Sequence, residues 1–123
     1  MSWIGTWRNQ YGSVVEITSE SGGRIAGTFK TALTDSAFHG RTVPVFGACE
    51  GDVIGFTAAA EGKTGAAAVS YTGLLRDGKL EMLWHTVADE NLSAAREGAA
   101  AERRKVPAWR AFGTSLDTFE RVA

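Results

Sequence analysis

The chain has 123 residues, which is enough for one domain with its own core and too few for two. Its formal net charge of −1 argues against nucleic acid as a partner, because a polyanion calls for a clear excess of basic residues. No apolar run approaches the roughly 20 residues that span a membrane, and a single cysteine, Cys49, excludes an internal disulfide and gives no basis for a metal site.

Eight strands are predicted from short segments rich in Val, Thr and aromatic residues that alternate with turn residues. They lie near residues 4–10, 13–19, 24–32, 38–47, 52–61, 66–75, 79–88 and 111–122. Asp77-Gly78 is the strongest hairpin signal among the turns. Eight short strands with hairpin links favour an all-β fold, an eight-stranded antiparallel up-and-down β-barrel over residues 1–123. Such a barrel closes its edges and is wide enough for one small ligand.

The segment 89–109, DENLSAAREGAAAERRKVPAW, departs from this strand pattern. Its Ala, Glu and Arg content favours a helix, which Asn91 or Ser93 would cap. Gly98 weakens such a helix and Pro107 ends it. We therefore predict a long, partly helical loop between the last two strands.

The alternation of side chains along the first strand indicates which of them face the interior. Trp7 is expected in the core and Arg8 in water, so Asn9 and Tyr11 share the inner face with Trp7, and Ser13 is placed to join them. Burying an unpaired polar group costs about 1–3 kcal/mol. These inward polar groups therefore need either internal partners or a ligand.

The other strands add further inward residues, because Lys30, Glu81 and Glu120 are expected to face solvent. The predicted interior also holds Phe29, Thr31, Leu33, Tyr71, Met82, Trp84, Thr86, Asp117 and Phe119. Asp117 is the most informative, since an inward carboxylate is costly unless it has partners. A closed structural network is the competing interpretation, but several polar groups converging in an apolar pocket are typical of a small-molecule site.

Five parts of the sequence together carry a family pattern: GTWRNQYGS (5–13), GTFKTAL (27–33), the strand of Trp84, Trp109, and DTFERV (117–122). In this order they resemble the avidin and streptavidin family of biotin-binding proteins, over nearly the whole chain. The resemblance implies a barrel with biotin as its ligand at one open end, no enzymatic activity and no further cofactor. It also implies a homo-oligomer, usually a tetramer with a dimer as the alternative. A secreted or periplasmic location is favoured, although no export leader is visible.

The resemblance implies roles for the inward polar residues. Asn9 and Ser13 match two of the family's donors to the ureido oxygen of biotin. Thr31 and Asp117 match its acceptors for the two ureido N–H groups. A urea group has one strong acceptor and two donors, and an ionised aspartate makes the charge-assisted hydrogen bond. The family's third oxygen donor is a tyrosine, whose position falls on Phe29, which has no hydroxyl.

Aromatic and loop residues complete the implied site. Trp84 and Trp109 match the family's tryptophan cage, in which the second usually reaches a neighbouring subunit. Tyr71 fits a position where the family has an aromatic residue, and Thr34 is available for the carboxylate of the biotin tail. The remaining predicted contacts are Tyr11 and Leu33.

Three positions depart from the family pattern in the half of the site that holds the tail. Ala60 stands where the family has a pocket tryptophan, Val69 where a hydroxyl touches the ring sulfur, and Ala67 where a serine helps to bind the carboxylate. Losing a tryptophan wall removes about 3–5 kcal/mol, and about 1.4 kcal/mol is tenfold in affinity. We therefore expect biotin to bind less tightly than in the best family members.

Other functions stay open at this point. One is a barrel that has lost biotin binding and takes another urea-like ligand or serves protein interaction, which the long segment 89–108 also suggests. An enzyme that uses Asp117 with His39 has no nucleophile–base arrangement to support it. Leu83 and Val87 have outward parity, which is best explained by a subunit interface.

Overall fold

The computed structural model describes residues 2–32, 38–62, 65–92, 103–105 and 112–122, and these form ten strands. In chain order they are β1 (Gly5–Asn9), β2 (Val14–Ser21), β3 (Arg24–Lys30), β4 (Val43–Glu50), β5 (Val53–Gly62), β6 (Gly65–Arg76), β7 (Lys79–Ala88), β8 (Glu90–Leu92), β9 (Arg103–Lys105) and β10 (Phe112–Arg121).

Eight of these strands close into one antiparallel barrel in the order β1-β10-β7-β6-β5-β4-β3-β2. Strands β1 to β7 lie around the barrel in chain order, and β10 completes the ring between β7 and β1. The predicted eight-stranded up-and-down barrel is confirmed. The described residues contain no helix that is long and apolar enough to span a membrane.

Local turn chemistry explains where the chain reverses. Between β6 and β7, Asp77 and Gly78 both have positive φ, at 52° and 76°. Two successive left-handed residues make the turn that matches the twist of paired strands, and Asp-Gly is one of its preferred sequences. The strongest hairpin prediction from the sequence therefore has the backbone that it requires.

The fourth strand begins later than the alternation suggested. The sequence pattern predicts it from residue 38, but residues 38–40 form a turn, which is closed by a hydrogen bond from the Arg41 amide to the Phe38 carbonyl at 3.0 Å. Gly40 supplies a positive φ of 83° there, which a turn uses readily and glycine adopts without steric cost. Regular pairing starts at Val43, opposite Phe29.

The segment before the last strand contains two short strands that the sequence did not indicate. β8 and β9 pair with each other as a separate two-stranded antiparallel sheet, with Asn91 opposite Arg104. Asn91, one of the two caps proposed for the helix, is paired in β8 instead. Residues 93–102, where the rest of the predicted helix would fall, lie outside the described residues.

One end of the barrel is closed by the N-terminal segment. Trp3 and Trp7 are both almost fully buried, with ring centroids 5.6 Å apart, and Trp7 Nε1 donates to the Trp3 carbonyl at 3.1 Å. The Arg121 guanidinium lies 4.4 Å from the Trp7 ring centroid and donates to the carbonyls of Ile4 and Ser2. Because successive hairpins alternate between the two ends, the β1–β2 turn lies at the opposite end, and this end contains the candidate site.

Candidate functional site

Four polar side chains are buried among the described residues: Asn9, Ser13, Thr31 and Asp117, which are 7%, 1%, 6% and 6% exposed. The sequence predicted all four as inward, whereas Thr86, which was also predicted inward, is only partly buried. They come from the end of β1, the residue before β2, the residue after β3, and β10. These strands are neighbours in the closed ring, so the four side chains meet on one side of the lumen.

Asn9 is the centre of this group because its amide has partners on both sides. Its Oδ1 accepts from the backbone amides of Tyr11 and Ser13 at 3.0 and 2.9 Å. Its Nδ2 donates to Asp117 Oδ2 at 2.9 Å. Both lone pairs of the oxygen are thereby used, which fixes the direction of the amide. One Nδ2 hydrogen remains for a further acceptor.

The Asp117 carboxylate accepts from two side chains at the end of β1. Besides the bond from Asn9, its Oδ1 lies 3.4 Å from Gln10 Nε2. The Gln10 amide is held in turn by the Thr118 backbone amide, which donates to Gln10 Oε1 at 3.1 Å. A carboxylate has about four lone-pair sites, so Asp117 keeps acceptor capacity beyond these two contacts.

Sequence patterning does not indicate Gln10 as a contact of Asp117. Its parity is outward, and its side chain is exposed. It reaches Asp117 because β1 ends at Asn9, and the chain begins to turn at Gln10.

Ser13 and Thr31 form the second part of the group. Ser13 Oγ accepts from the Ala32 backbone amide at 2.8 Å and lies 3.4 Å from Thr31 Oγ1. Ser13 Oγ therefore accepts a hydrogen bond from the backbone, and its own O–H points away from the Ala32 amide. Together with Asn9, the group provides N–H and O–H donors beside hydroxyl and carboxylate acceptors.

Aromatic rings form an apolar layer next to the polar group. The Tyr71 ring lies at the centre of this layer, with centroid distances of 5.2 Å to Phe56, 5.8 Å to Phe119, 5.9 Å to Phe29 and 6.3 Å to Trp84. Phe119 and Phe29 are two residues from Asp117 and Thr31 along their strands, which is one side-chain layer towards the closed end. The aromatic layer is therefore the floor of the polar site.

Two polar atoms of the aromatic layer have unusual environments. Burial raises the pKa of Tyr71, and the negative charge of Asp117 adds to the shift, so the phenol stays protonated in the folded protein. Trp84 Nε1 is buried and is the one such side-chain nitrogen or oxygen in the described part of the chain without a hydrogen-bond partner. A buried donor of this kind costs about 1–3 kcal/mol unless an acceptor reaches it.

The structure does not support the expected inward direction of Tyr11. Its side chain is 57% exposed. Alternation holds only within a strand, whereas β1 ends at Asn9 and residues 10–12 form the turn into β2. Strand parity has no meaning in a turn, because the backbone no longer places successive side chains on opposite faces.

The remaining predicted contacts divide into two groups. Phe29, Tyr71 and Trp84 lie in the aromatic layer, as described above. Leu33, Thr34 and Trp109 lie outside the described residues, and their roles stay predictions.

Small side chains line the wall nearer the open end. Ala60 and Ala67 pair directly across β5 and β6, and both pack at the edge of the core. Val69, one layer deeper, is 6% exposed. The three positions where the family has a tryptophan and two hydroxyls are therefore apolar and contiguous here.

The sequence model of the Avidin family matches residues 1–103. The chain belongs to the avidin family. This family consists of non-enzymatic binding proteins, and its typical ligand is biotin. The match ends before β10, so Asp117 is placed by the structure alone. No curated protein matches the chain significantly in sequence.

Solved avidins share the complete fold of this family member. The bradavidin2–biotin complex is 20% identical with a TM-score of 0.73, and each chain covers the other fully. The rhizavidin–biotin complex is 20% identical with a TM-score of 0.73, covering 99% of this chain and 93% of the other. Ligand-free shwanavidin is 22% identical with a TM-score of 0.72, covering 100% and 98%.

Proposed function

We propose that this chain is a non-catalytic receptor that binds biotin by its ureido ring at the open end of the barrel. One observation carries the proposal: the four buried polar side chains of the described residues gather into one group that has both donors and acceptors. Family membership and the biotin complexes of bradavidin2 and rhizavidin support the choice of ligand.

The hydrogen-bonding groups fit the two sides of a urea. The second Nδ2 hydrogen of Asn9 and the hydroxyl of Ser13 donate to the ureido oxygen. The oxygens of Thr31 and Asp117 accept from the two ureido N–H groups, and the charge of Asp117 strengthens its hydrogen bond. The aromatic layer supports the fused rings from below, and Trp84 packs beside them.

The affinity is lower than that of the best avidins. Phe29 supplies no hydroxyl to the ureido oxygen, which removes about 1–3 kcal/mol unless a neighbouring side chain replaces that donor. The paired Ala60 and Ala67 give the ligand less wall to contact than a tryptophan does, and Val69 offers no hydrogen bond. With about 1.4 kcal/mol for each tenfold change, these losses amount to several orders of magnitude.

Calorimetric titration of the full chain tests the proposal with three ligands that separate head from tail. Biotin and desthiobiotin both contain the cyclic urea, and valeric acid represents the tail alone. We expect one biotin per chain, weaker binding of desthiobiotin and no binding of valeric acid. A thousandfold excess of biotin over its Kd should raise the free energy of unfolding by about 4 kcal/mol. The absence of heat and of a melting shift at millimolar biotin would refute the proposal.

A urea-like ligand with a different tail is the second candidate, and the small residues Ala60 and Ala67 favour it. These small side chains leave space for tails of other shapes, whereas a bulky residue there would accommodate only the biotin tail. If 2-imidazolidinone, a bare cyclic urea, binds as tightly as biotin, then the tail contributes nothing and the second candidate is preferred.

We also propose a homo-oligomer formed through the outer face of β7 and β10. Leu83 and Leu116 lie directly opposite each other there, and their side chains are 48% and 69% exposed. Adjacent exposed leucines on a regular sheet surface are typical of a face that a second subunit covers.

A further inference from the structure

We propose that Tyr71 supplies, from β6, the ligand-facing hydroxyl that the chain lacks at Phe29. The inference rests on the proposed function, because it assigns a donor to the same ureido oxygen. It adds a third donor beside Asn9 and Ser13 and takes it from the opposite wall of the barrel.

The position of β6 in the ring gives the direction of the Tyr71 side chain. In the closed order of eight strands, β6 lies four steps from β2 and three steps from β1 and from β3. The polar group comes from this far side, since Asn9 ends β1, Ser13 precedes β2 and Thr31 follows β3. An inward side chain of β6 therefore points across the lumen towards them.

Ring contacts show that Tyr71 does extend across the lumen. Its ring is 5.9 Å from Phe29 on β3 and 5.8 Å, edge-on, from Phe119 on β10. These two strands lie on either side of β6, three and two steps away. A ring in contact with both lies near the middle of the barrel, and its hydroxyl extends beyond that point.

The level of Tyr71 along the barrel is also suitable. Phe29 and Phe119 form the layer directly below Thr31 and Asp117, so a ring packed between them lies under the polar group. The influence of the Asp117 charge on the pKa of Tyr71 agrees with this short range. The phenol remains neutral and so remains a donor.

Phe29 and Tyr71 pack against each other. The hydroxyl of Tyr71 is therefore only one side chain away from the position where the family has its tyrosine hydroxyl. Phe29 fills the layer, and Tyr71 packs against it and carries the oxygen. A ligand oxygen held by Asn9 and Ser13 lies above this contact. The geometry assigns it Tyr71 as its third donor.

Calorimetry with biotin on Tyr71→Phe, Phe29→Tyr and the double variant tests the inference. Tyr71→Phe keeps the ring and removes the hydroxyl, so we expect a roughly tenfold to hundredfold loss of affinity. Adding Phe29→Tyr to the Tyr71→Phe variant should restore most of the lost biotin affinity. Phe29→Tyr alone should raise the affinity of the wild-type chain by a smaller factor. A near-additive pair of effects, or an unchanged affinity of Tyr71→Phe, would overturn the inference.

NMR of the protein with ¹³C-labelled tyrosine ring carbons gives a second readout that does not depend on affinity. The chain has two tyrosines, and Tyr71→Phe assigns their signals. We expect biotin to shift the Tyr71 phenolic carbon, and an unmoved signal in the saturated protein contradicts the assignment. If the wild-type chain binds neither biotin nor 2-imidazolidinone, the proposed function itself fails. Normal binding with an unaffected Tyr71→Phe variant rejects this inference alone.

Discussion

Asn9 Nδ2 and Asp117 Oδ2 are joined by a hydrogen bond of 2.9 Å, although 108 residues separate them in the chain. The bond crosses the seam between β1 and β10, where the two ends of the chain meet to close the barrel. The candidate site therefore depends on barrel closure, and part of its geometry is fixed before any ligand arrives. Such preorganisation raises affinity, because less side-chain ordering is left to the binding step.

Replacing Asp117 by Asn should weaken biotin binding without unfolding the barrel. The amide oxygen can still accept from Asn9, but the charge is lost, and the NH₂ group opposes a ureido N–H. Hydrogen bonds to charged groups contribute about 1.5–3 kcal/mol, so we expect about tenfold to hundredfold lower affinity by calorimetry. Glu120→Gln, an exposed change on the same strand, is the matched control. Equal affinities of the two variants would contradict the role of Asp117.

Replacing Asn9 by Ala should lower stability as well as affinity. The change leaves the backbone amides of Tyr11 and Ser13 without their acceptor, and it removes the donor to Asp117. We expect the free energy of unfolding to fall by about 2–4 kcal/mol in urea titrations. Arg8→Ala, which alters an exposed side chain on the same strand, should change it by less than about 0.5 kcal/mol. A similar loss in both variants would mean that Asn9 has no special structural role.

Arg121 should contribute to stability without affecting the ligand site. Its guanidinium packs over Trp7 and binds two carbonyls of the N-terminal segment, at the end of the barrel away from Asp117. Arg121→Ala should lower the free energy of unfolding by about 1–2 kcal/mol. Arg121→Lys keeps the charge but loses the planar fork, so it should recover only part of this. Biotin affinity serves as the internal control, and a drop in it would show that the two ends are coupled.

The strand pattern and the polar interior were both accessible from the sequence. Alternation works where a strand is regular, because each residue then occupies a fixed face. Asp117 on β10 and Asn9 on β1 are correctly placed for this reason. The prediction was wrong for Tyr11, where the chain had already turned.

Contacts across the lumen were not accessible in the same way. Parity assigns Tyr71 to the interior, but its contacts with Phe29 and Phe119 depend on strand order and stagger, which no local pattern encodes. The strands β8 and β9 were missed for another reason. Three-residue strands such as Glu90–Leu92 are too short to show a period, and their pairing depends on a long-range contact.

Placing a charge on the outer leucine pair should disrupt the proposed oligomer. Leu116→Glu puts a carboxylate opposite Leu83 on the exposed face, where a subunit interface would have to bury it. We expect light scattering after size exclusion to show the wild-type chain as a dimer or larger, and the variant as a smaller species. Val53→Glu changes an exposed residue of β5 and is the control. A monomeric wild-type chain would contradict the proposal.

The stability of the folded chain should fall at alkaline pH, and Tyr71 should account for part of that fall. Burial raises the pKa of Tyr71 above the ordinary value of 10.0. Above about pH 10 the unfolded chain therefore releases this proton while the folded chain retains it. Because the unfolded state then binds fewer protons, the free energy of unfolding decreases with pH, by up to about 1.4 kcal/mol per pH unit. Below this range the group makes no pH-dependent contribution.

The comparison of wild type with Tyr71→Phe isolates this effect from the other groups that titrate at high pH. Urea unfolding from about pH 8 to about pH 11 should give two curves that are parallel below about pH 9.5, with the wild-type curve falling more steeply above it, since only the wild type has the phenol. Saturating biotin should leave the slope difference in place, because the ligand and the folded state both favour the neutral phenol. Curves that stay parallel throughout would show that Tyr71 ionises as readily in the folded chain as in the unfolded one. Tyr71 would then not be buried beside the Asp117 charge in solution, which is the environment that raises its pKa.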